Sequence, residues 1–232
     1  MENKKRGFRI LRLIGKIILA LFILQFVYIV LLKWVNPPIT FTQLHSLITG
    51  KGLKRNYVSL NEMSYNIKLA VISSEDQIFA DHSGFDWKSI EKAMKYNKKK
   101  PNRIRGASTI SQQVAKNVFL WQGRDWIRKG LEVYFTKMIE WIWGKKRILE
   151  MYLNVSEMGK GIFGIEAASE SNFNKHAKNV SRVQAAMIAA SLPNPKLYTV
   201  KPESSYVAVK TGWILRQMNN LEGDEDIDAI IK

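Results

Sequence analysis

Glu75 and Asp76 are adjacent carboxylates that end an apolar stretch. The turn-forming run His82-Ser83-Gly84 follows, and then Asp86, placed to cap a further helix. If Glu75 faces a cleft, the apolar wall of its own helix pushes it toward the range of a useful general base, because burial penalises the charged form. A plainer reading is a solvated helix end with His82 tying down the turn, and on this segment alone that reading is the stronger one.

A second group runs from Gly106 through Ala107, Ser108, Thr109, Ile110, Ser111, Gln112 and Gln113 to Lys116 and Asn117. A small-residue loop leads into a helix whose first turn reads as a Thr109-x-x-Gln112 capping box. Free backbone N–H groups, hydroxyls, Gln113 and Lys116 would converge at that helix N-terminus, where an anion such as a pyrophosphate binds. Simple capping accounts for Thr109 but not for the cluster. A third group is Arg124, followed by Arg128-Lys129-Gly130-Leu131-Glu132. Arg128 and Glu132 are four apart and share a helical face, so a surface salt bridge is the ordinary interpretation. Gly130 argues for more, since a glycine inside a helix costs about 1 kcal/mol and suggests that something approaches closely.

The elements that must position these groups are helical. From about Met63 onward apolar residues recur at three- and four-residue spacing near 67–79, 87–96, 109–120, 126–143, 146–153, 163–173, 181–192 and 206–217. Gly144 separates two of these helices and Pro193-Asn194-Pro195 ends another. No Val/Ile/Thr-rich alternation is long enough to demand a large sheet. Lys95 to Arg105 holds six basic residues plus Pro101 and reads as an exposed, mobile loop.

Ahead of these helices lies an apolar run from Ile17 to Leu32, interrupted only by Gln25 and flanked by Lys16 and Lys33. With Leu13, Ile14, Trp34 and Val35 it reaches the roughly 20 residues needed to cross hydrocarbon. Asn36-Pro37-Pro38 follows instead of a small-x-small cleavage site, so the expectation is an uncleaved anchor. The expected organisation is a basic cytoplasmic tail at 1–12, a transmembrane helix at 13–35, a membrane-proximal connector at 36–60, a catalytic domain at 61–221 and a solvated acidic tail at 222–232. Apolar residues at 39–48 would dip into the membrane interface, although a short buried segment would look the same. Met1 to Lys16 contains six basic residues and one acidic one; subtracting that +5 from the whole-chain +16 leaves +11. A field of that sign gathers nucleic acid, acidic lipid or phosphorylated substrates. The absence of cysteine excludes disulfides, thiolate metal sites and cysteine nucleophiles.

Taken in order, the three groups resemble the first motifs of the peptidoglycan glycosyltransferases, glycosyltransferase family 51. A fourth follows in Lys145, Ile148, Leu149, Glu150, Tyr152, Leu153 and Asn154, with Gly159, Gly164, Ala167, Ala168 and Phe173 after it. A fifth runs from Ala185-Ala186 to Leu192-Pro193-Asn194-Pro195. The resemblance covers about residues 60–200. It departs from the usual pattern at Ser111, Asn172 and Gln184, none of which touches the two family carboxylates.

The resemblance implies a mainly α, lysozyme-like bilobed domain behind one transmembrane helix, periplasmic and held on the bacterial inner membrane. It implies polymerisation of lipid II into a growing β-1,4-linked glycan strand. Glu75 and Glu132 are then the catalytic carboxylates, Glu75 the base. Ser108, Gln112, Gln113, Lys116, Asn117, Arg124, Arg128 and Lys129 bind substrate. Whether Glu132 orients cations, binds a divalent ion (Mg2+ or Mn2+) or assists the leaving group stays open, and no metal ligand is assigned. Membrane lipid and proteins of cell division or cell-wall synthesis are the expected partners, and nucleic acid is not.

Two chance matches are set aside. Gly159-x-Gly161-x-x-Gly164 resembles a dinucleotide loop but follows a helix and lacks the acidic residue about 20 positions on. Ser89-Ile90-Glu91-Lys92 and Lys210-Thr211-Gly212 match penicillin-binding motifs, but each falls inside an expected helix and the Ser-x-Asn element is missing, so no transpeptidase activity is expected. A lysozyme-like hydrolase would share the helices and the glutamate, but it has no pyrophosphate to neutralise. A basic membrane-tethered binding protein would carry the charge without ordered carboxylate motifs.

Overall fold

The computed structural model describes residues 2–123 and 125–232, with side chains from Phe8 onward, so the reading of Arg124 as a substrate ligand lies outside the described residues. The chain divides into two compact units, 1–36 and 37–232. The first is a single helix, α1, over Glu2–Leu31. Its stretch Phe8–Leu31 is long and apolar enough to cross a membrane. This span begins before Leu13 and stops short of Val35, because the helix passes into a turn after Leu31.

The second unit is mainly α, as expected. In chain order its elements are α2 (Phe41–Ile48), β1 (Lys54–Arg55), α3 (Tyr65–Glu75), α4 (Trp87–Lys99), α5 (Ile110–Phe119), α6 (Trp126–Ile142), α7 (Gly144–Val155), β2 (Glu157–Gly159), β3 (Ile162–Phe163), α8 (Ile165–Phe173), α9 (Arg182–Ser191), α10 (Ser205–Leu221) and α11 (Glu225–Ile231). Hydroxyl caps start most of the long helices. Ser64, Thr109, Ser181 and Ser204 each accept a backbone N–H from the first turn of α3, α5, α9 and α10. Each cap satisfies a donor that would otherwise be orphaned, worth about 1 kcal/mol.

Helices α3, α9 and α10 pack on one another, and α5, α6 and α7 form a second group. Helix α3 has Ile67, Leu69, Ala70, Val71 and Ile72 fully buried, and Lys68 and Ser73 buried with them, as befits a helix largely surrounded by protein. Ala185, Ala186, Ala189 and Ala190, equally buried, leave α9 slim enough to lie close against it.

Four sequence expectations need correction. Residues 36–60 are more than a membrane-proximal connector: β1 pairs in parallel with β3, Lys54 opposite Ile162 and Arg55 opposite Phe163, in a three-stranded sheet ordered β1-β3-β2. Within that segment α2 is inverted, with Thr42, Gln43 and Ser46 buried and Phe41, Leu44, Leu47 and Ile48 turned outward. Residues 95–99 complete α4, because the lysines favour a helical last turn; only the remainder of the 95–105 segment is loop. The 222–232 tail folds as α11 and buries Ile227, Ile230 and Ile231, whose spacing outweighs the acidic composition around them. The glycine-rich run follows a short strand rather than a helix. A Cβ on Gly161 would lie 2.1 Å from the Lys51 carbonyl oxygen and one on Gly164 2.6 Å from that of Asn154, so these glycines serve packing of the chain on itself.

Candidate active site

Asp76 and His82 lock the end of α3 to the start of α5. Asp76 Oδ2 accepts the Ile110 backbone N–H at 2.9 Å, and both Asp76 oxygens lie 3.0 Å from His82 Nε2. Gly84 donates its N–H to His82 Nδ1 at 3.0 Å, which places the imidazole proton on Nε2, facing Asp76. Thr109 Oγ1 closes the loop by donating to the Gly84 carbonyl at 2.8 Å. Gly84 has φ +95°, and a Cβ there would meet Thr136 Cγ2 at 2.8 Å, so the turn requires glycine twice over. His82 does fasten the turn, as the plainer reading held, but His82, Gly84 and Phe85 are buried while only Asp81 and Ser83 face solvent.

This lock aims Glu75 into a cleft of about 1000 Å³ that Ser108, Gln113, Lys116, Lys92, Leu192, Pro193 and Trp213 help to line. Gln113 donates through Nε2 to Glu75 Oε2 at 2.9 Å, and Ser74 Oγ donates to Oε1 at 3.4 Å. The buried Tyr152 hydroxyl donates to Gln113 Oε1 at 3.4 Å, which turns the amide so that its N–H₂ faces the carboxylate. Burial pushes the Glu75 carboxyl above its ordinary value, against the pull of Gln113, Ser74 and the Lys210 charge. Burial also lowers Lys116, partly offset by Glu132.

Glu132 sits differently. It is 3% exposed and accepts Arg128 Nη1 at 2.8 Å and Lys129 Nζ at 2.5 Å, with Gln112 Nε2 at 3.5 Å. The Arg128–Glu132 pair is therefore buried, not a surface bridge. Gly130 between them is exposed with nothing within 4 Å of an added Cβ, so close approach does not explain it. The site residues expected from sequence thus separate. Glu75, Ser108, Gln113 and Lys116 meet at the cleft. Glu132, Arg128 and Lys129 form an ionic cluster whose charges act on Lys116. Gln112 completes the α5 capping box, and Asn117 accepts the Thr42 hydroxyl at 3.3 Å, joining α5 to α2.

Sequence reading passed over two features of this site. Tyr152 lies in the fourth motif, but its role shows only through Gln113. Lys210 was set aside with a chance motif and Trp213 was not singled out, although Tyr206, Lys210 and Trp213 recur at helical spacing on one side of α10. Among the described residues, Glu166, Glu170 and His176 have carboxylate and imidazole atoms close enough to share a metal ion. Glu166 already accepts His176 Nδ1 at 2.6 Å and the Ala177 N–H at 2.7 Å, which fastens the turn after α8.

The chain is similar to known proteins over most of its length. The family described as Transglycosylase matches residues 42–219. A "Biosynthetic peptidoglycan transglycosylase" of Haemophilus influenzae is 58% identical over 169 residues, covering 73% of this chain and 69% of its own length. The protein of the same description in Shewanella oneidensis is 44% identical over 217 residues, 92% of this chain and 93% of its own. That of Escherichia coli is 54% identical over 169 residues, 73% of this chain and 70% of its own.

Proposed function

Because the chain belongs to the transglycosylase family, we propose that it is a peptidoglycan glycosyltransferase that polymerises lipid II into β-1,4-linked glycan strands with release of undecaprenyl diphosphate. The observation that carries this reading is Glu75: a carboxylate raised by burial, oriented by Gln113 and, among the described residues, without a paired cation, at the wall of a cleft that also holds Lys116. The acceptor sugar 4-hydroxyl attacks the anomeric carbon of the donor in line. A C–O glycosidic bond forms as the bond to the pyrophosphate oxygen breaks, and the configuration inverts. The hydroxyl proton passes to Glu75. Ser108, Gln113 and Lys116 meet the negative charge that develops on the departing pyrophosphate.

Glu132 is the orienting carboxylate of the three alternatives open from sequence. Both of its oxygens accept from Arg128, Lys129 or Gln112, so it holds those cations in place and has little capacity for a divalent ion. Initial rates with Mg2+ and with chelator should agree within about twofold; dependence on the metal would overturn this assignment. The α1 span serves as a single-pass anchor in the bacterial inner membrane, with residues 37–232 on the periplasmic side, because the basic residues at its start favour the cytoplasm. The outward apolar side of α2 suits the headgroup layer in which lipid-linked substrates lie.

Glu75→Gln tests the reading directly. Polymerisation of lipid II should fall by a factor on the order of 10² to 10⁴ while the circular dichroism spectrum and substrate binding persist. Chain extension at the wild-type rate would overturn it.

A further inference from the structure

The Lys210-Thr211-Gly212 stretch has no part in the chemistry above, yet Lys210 sits on an aromatic ring at the wall of the cleft that holds the base. Trp213 lines the cleft that Glu75 enters, and Lys210 Nζ sits 3.3 Å from the centre of the Trp213 ring. An aromatic face seats an ammonium without neutralising it. Lys210 is half-buried and makes no ion pair among the described residues, and the carboxylate that acts on its charge is Glu75. Helix α10 packs on α3, so this relation belongs to the core and not to a loop.

Several groups bear on Glu75. Ser74 and Asp76 come from its own helix, Gln113 and Lys116 from α5, Tyr152 from α7, and Tyr206 and Lys210 from α10. Two of them are cations. Lys116 also faces Glu132, Arg128 and Lys129, and it stands with the groups that meet pyrophosphate. Once a substrate pyrophosphate claims Lys116, its charge is spent on that anion. Among the described residues, Lys210 then remains as the positive charge acting on the base.

We propose that Lys210 is a positioning residue for the reaction: seated on Trp213, it holds Glu75 in the ionised form that accepts the acceptor proton while Lys116 is engaged by pyrophosphate. The inference rests on the reading of Glu75 as the base. Full-length Lys210→Met, Lys210→Arg and Glu75→Gln proteins are compared by lipid II polymerisation rates across about pH 5 to 9, with kcat and KM resolved. The acidic limb of kcat for Lys210→Met should move up by about one pH unit, a roughly tenfold loss of turnover below the limb. The limb of kcat/KM, which reports free enzyme with Lys116 still available, should move less. Lys210→Arg should restore both limbs. Unmoved limbs would overturn the inference, whether the rate is unchanged, falls equally at every pH or is accompanied by a raised KM. If Glu75→Gln remains active, it is the parent reading that fails.

Discussion

Glu75 and Glu132 approach the same helix through neighbouring glutamines, Gln113 donating to the first at 2.9 Å and Gln112 to the second at 3.5 Å. Around Glu75 the neighbours include the Ser74 hydroxyl and apolar residues of the cleft, and among the described residues no cation is paired with it. Around Glu132 two cations are in direct contact. A base must hold a proton briefly and so must not be paired away, whereas a carboxylate that arranges cations must be paired. One family signature thus contains two glutamates whose surroundings the tertiary structure makes different.

The largest test of that contrast is Glu75→Gln, which should remove polymerisation without loosening the fold. The sign of its stability effect follows from the direction of the shift. A carboxyl raised by burial contributes stability below its ordinary value and loses it as pH rises through the folded value. At neutral pH the amide variant should therefore melt at or above the wild-type temperature, and the difference should vanish on acidification below the ordinary carboxylate range. A lower melting temperature at neutral pH would mean that Glu75 is paired like Glu132. Glu132→Gln should behave oppositely. It leaves Arg128 buried beside a neutral amide, at a cost of about 3 kcal/mol in denaturant unfolding, and it should raise KM as the cations lose their anchor. Unchanged stability would show that the cluster is solvated.

The shift of the acidic limb in Lys210→Met comes next and asks whether the base has a cation of its own at a distance. The smallest effect is expected at Gly130, which lies between the paired residues with nothing near it. Gly130→Ala should leave activity unchanged and stabilise the protein by up to about 1 kcal/mol, read as a higher melting temperature. Lost activity would show that substrate approaches α6 there.

Much of this arrangement was legible in the residues. Helix spacing located α3 to α10 to within a few residues, and the Thr109-x-x-Gln112 box placed the start of α5. Glu75, Ser108, Gln113 and Lys116 were grouped by motif, and the fold brings them to one cleft. Asn117 was grouped with them but lies on the side of α5 that meets α2, since a helix distributes a contiguous motif around its axis. Residues 222–232 misled because their acidic side chains dominate composition, while three isoleucines at helical spacing decide burial.

What the sequence determined by itself was local and periodic: the apolar span of α1, the helices and their caps, and the identity of two carboxylates in an ordered set of motifs. Those follow from backbone hydrogen bonding and from side-chain spacing along one stretch of chain. The tertiary structure decided which carboxylate is paired with cations, that α2 turns its apolar side outward, and that a lysine 135 positions beyond Glu75 is seated on Trp213 at the wall of the same cleft. Charge acts through space with little regard for chain separation, so a base and its distant cation can be recognised only after the helices have packed.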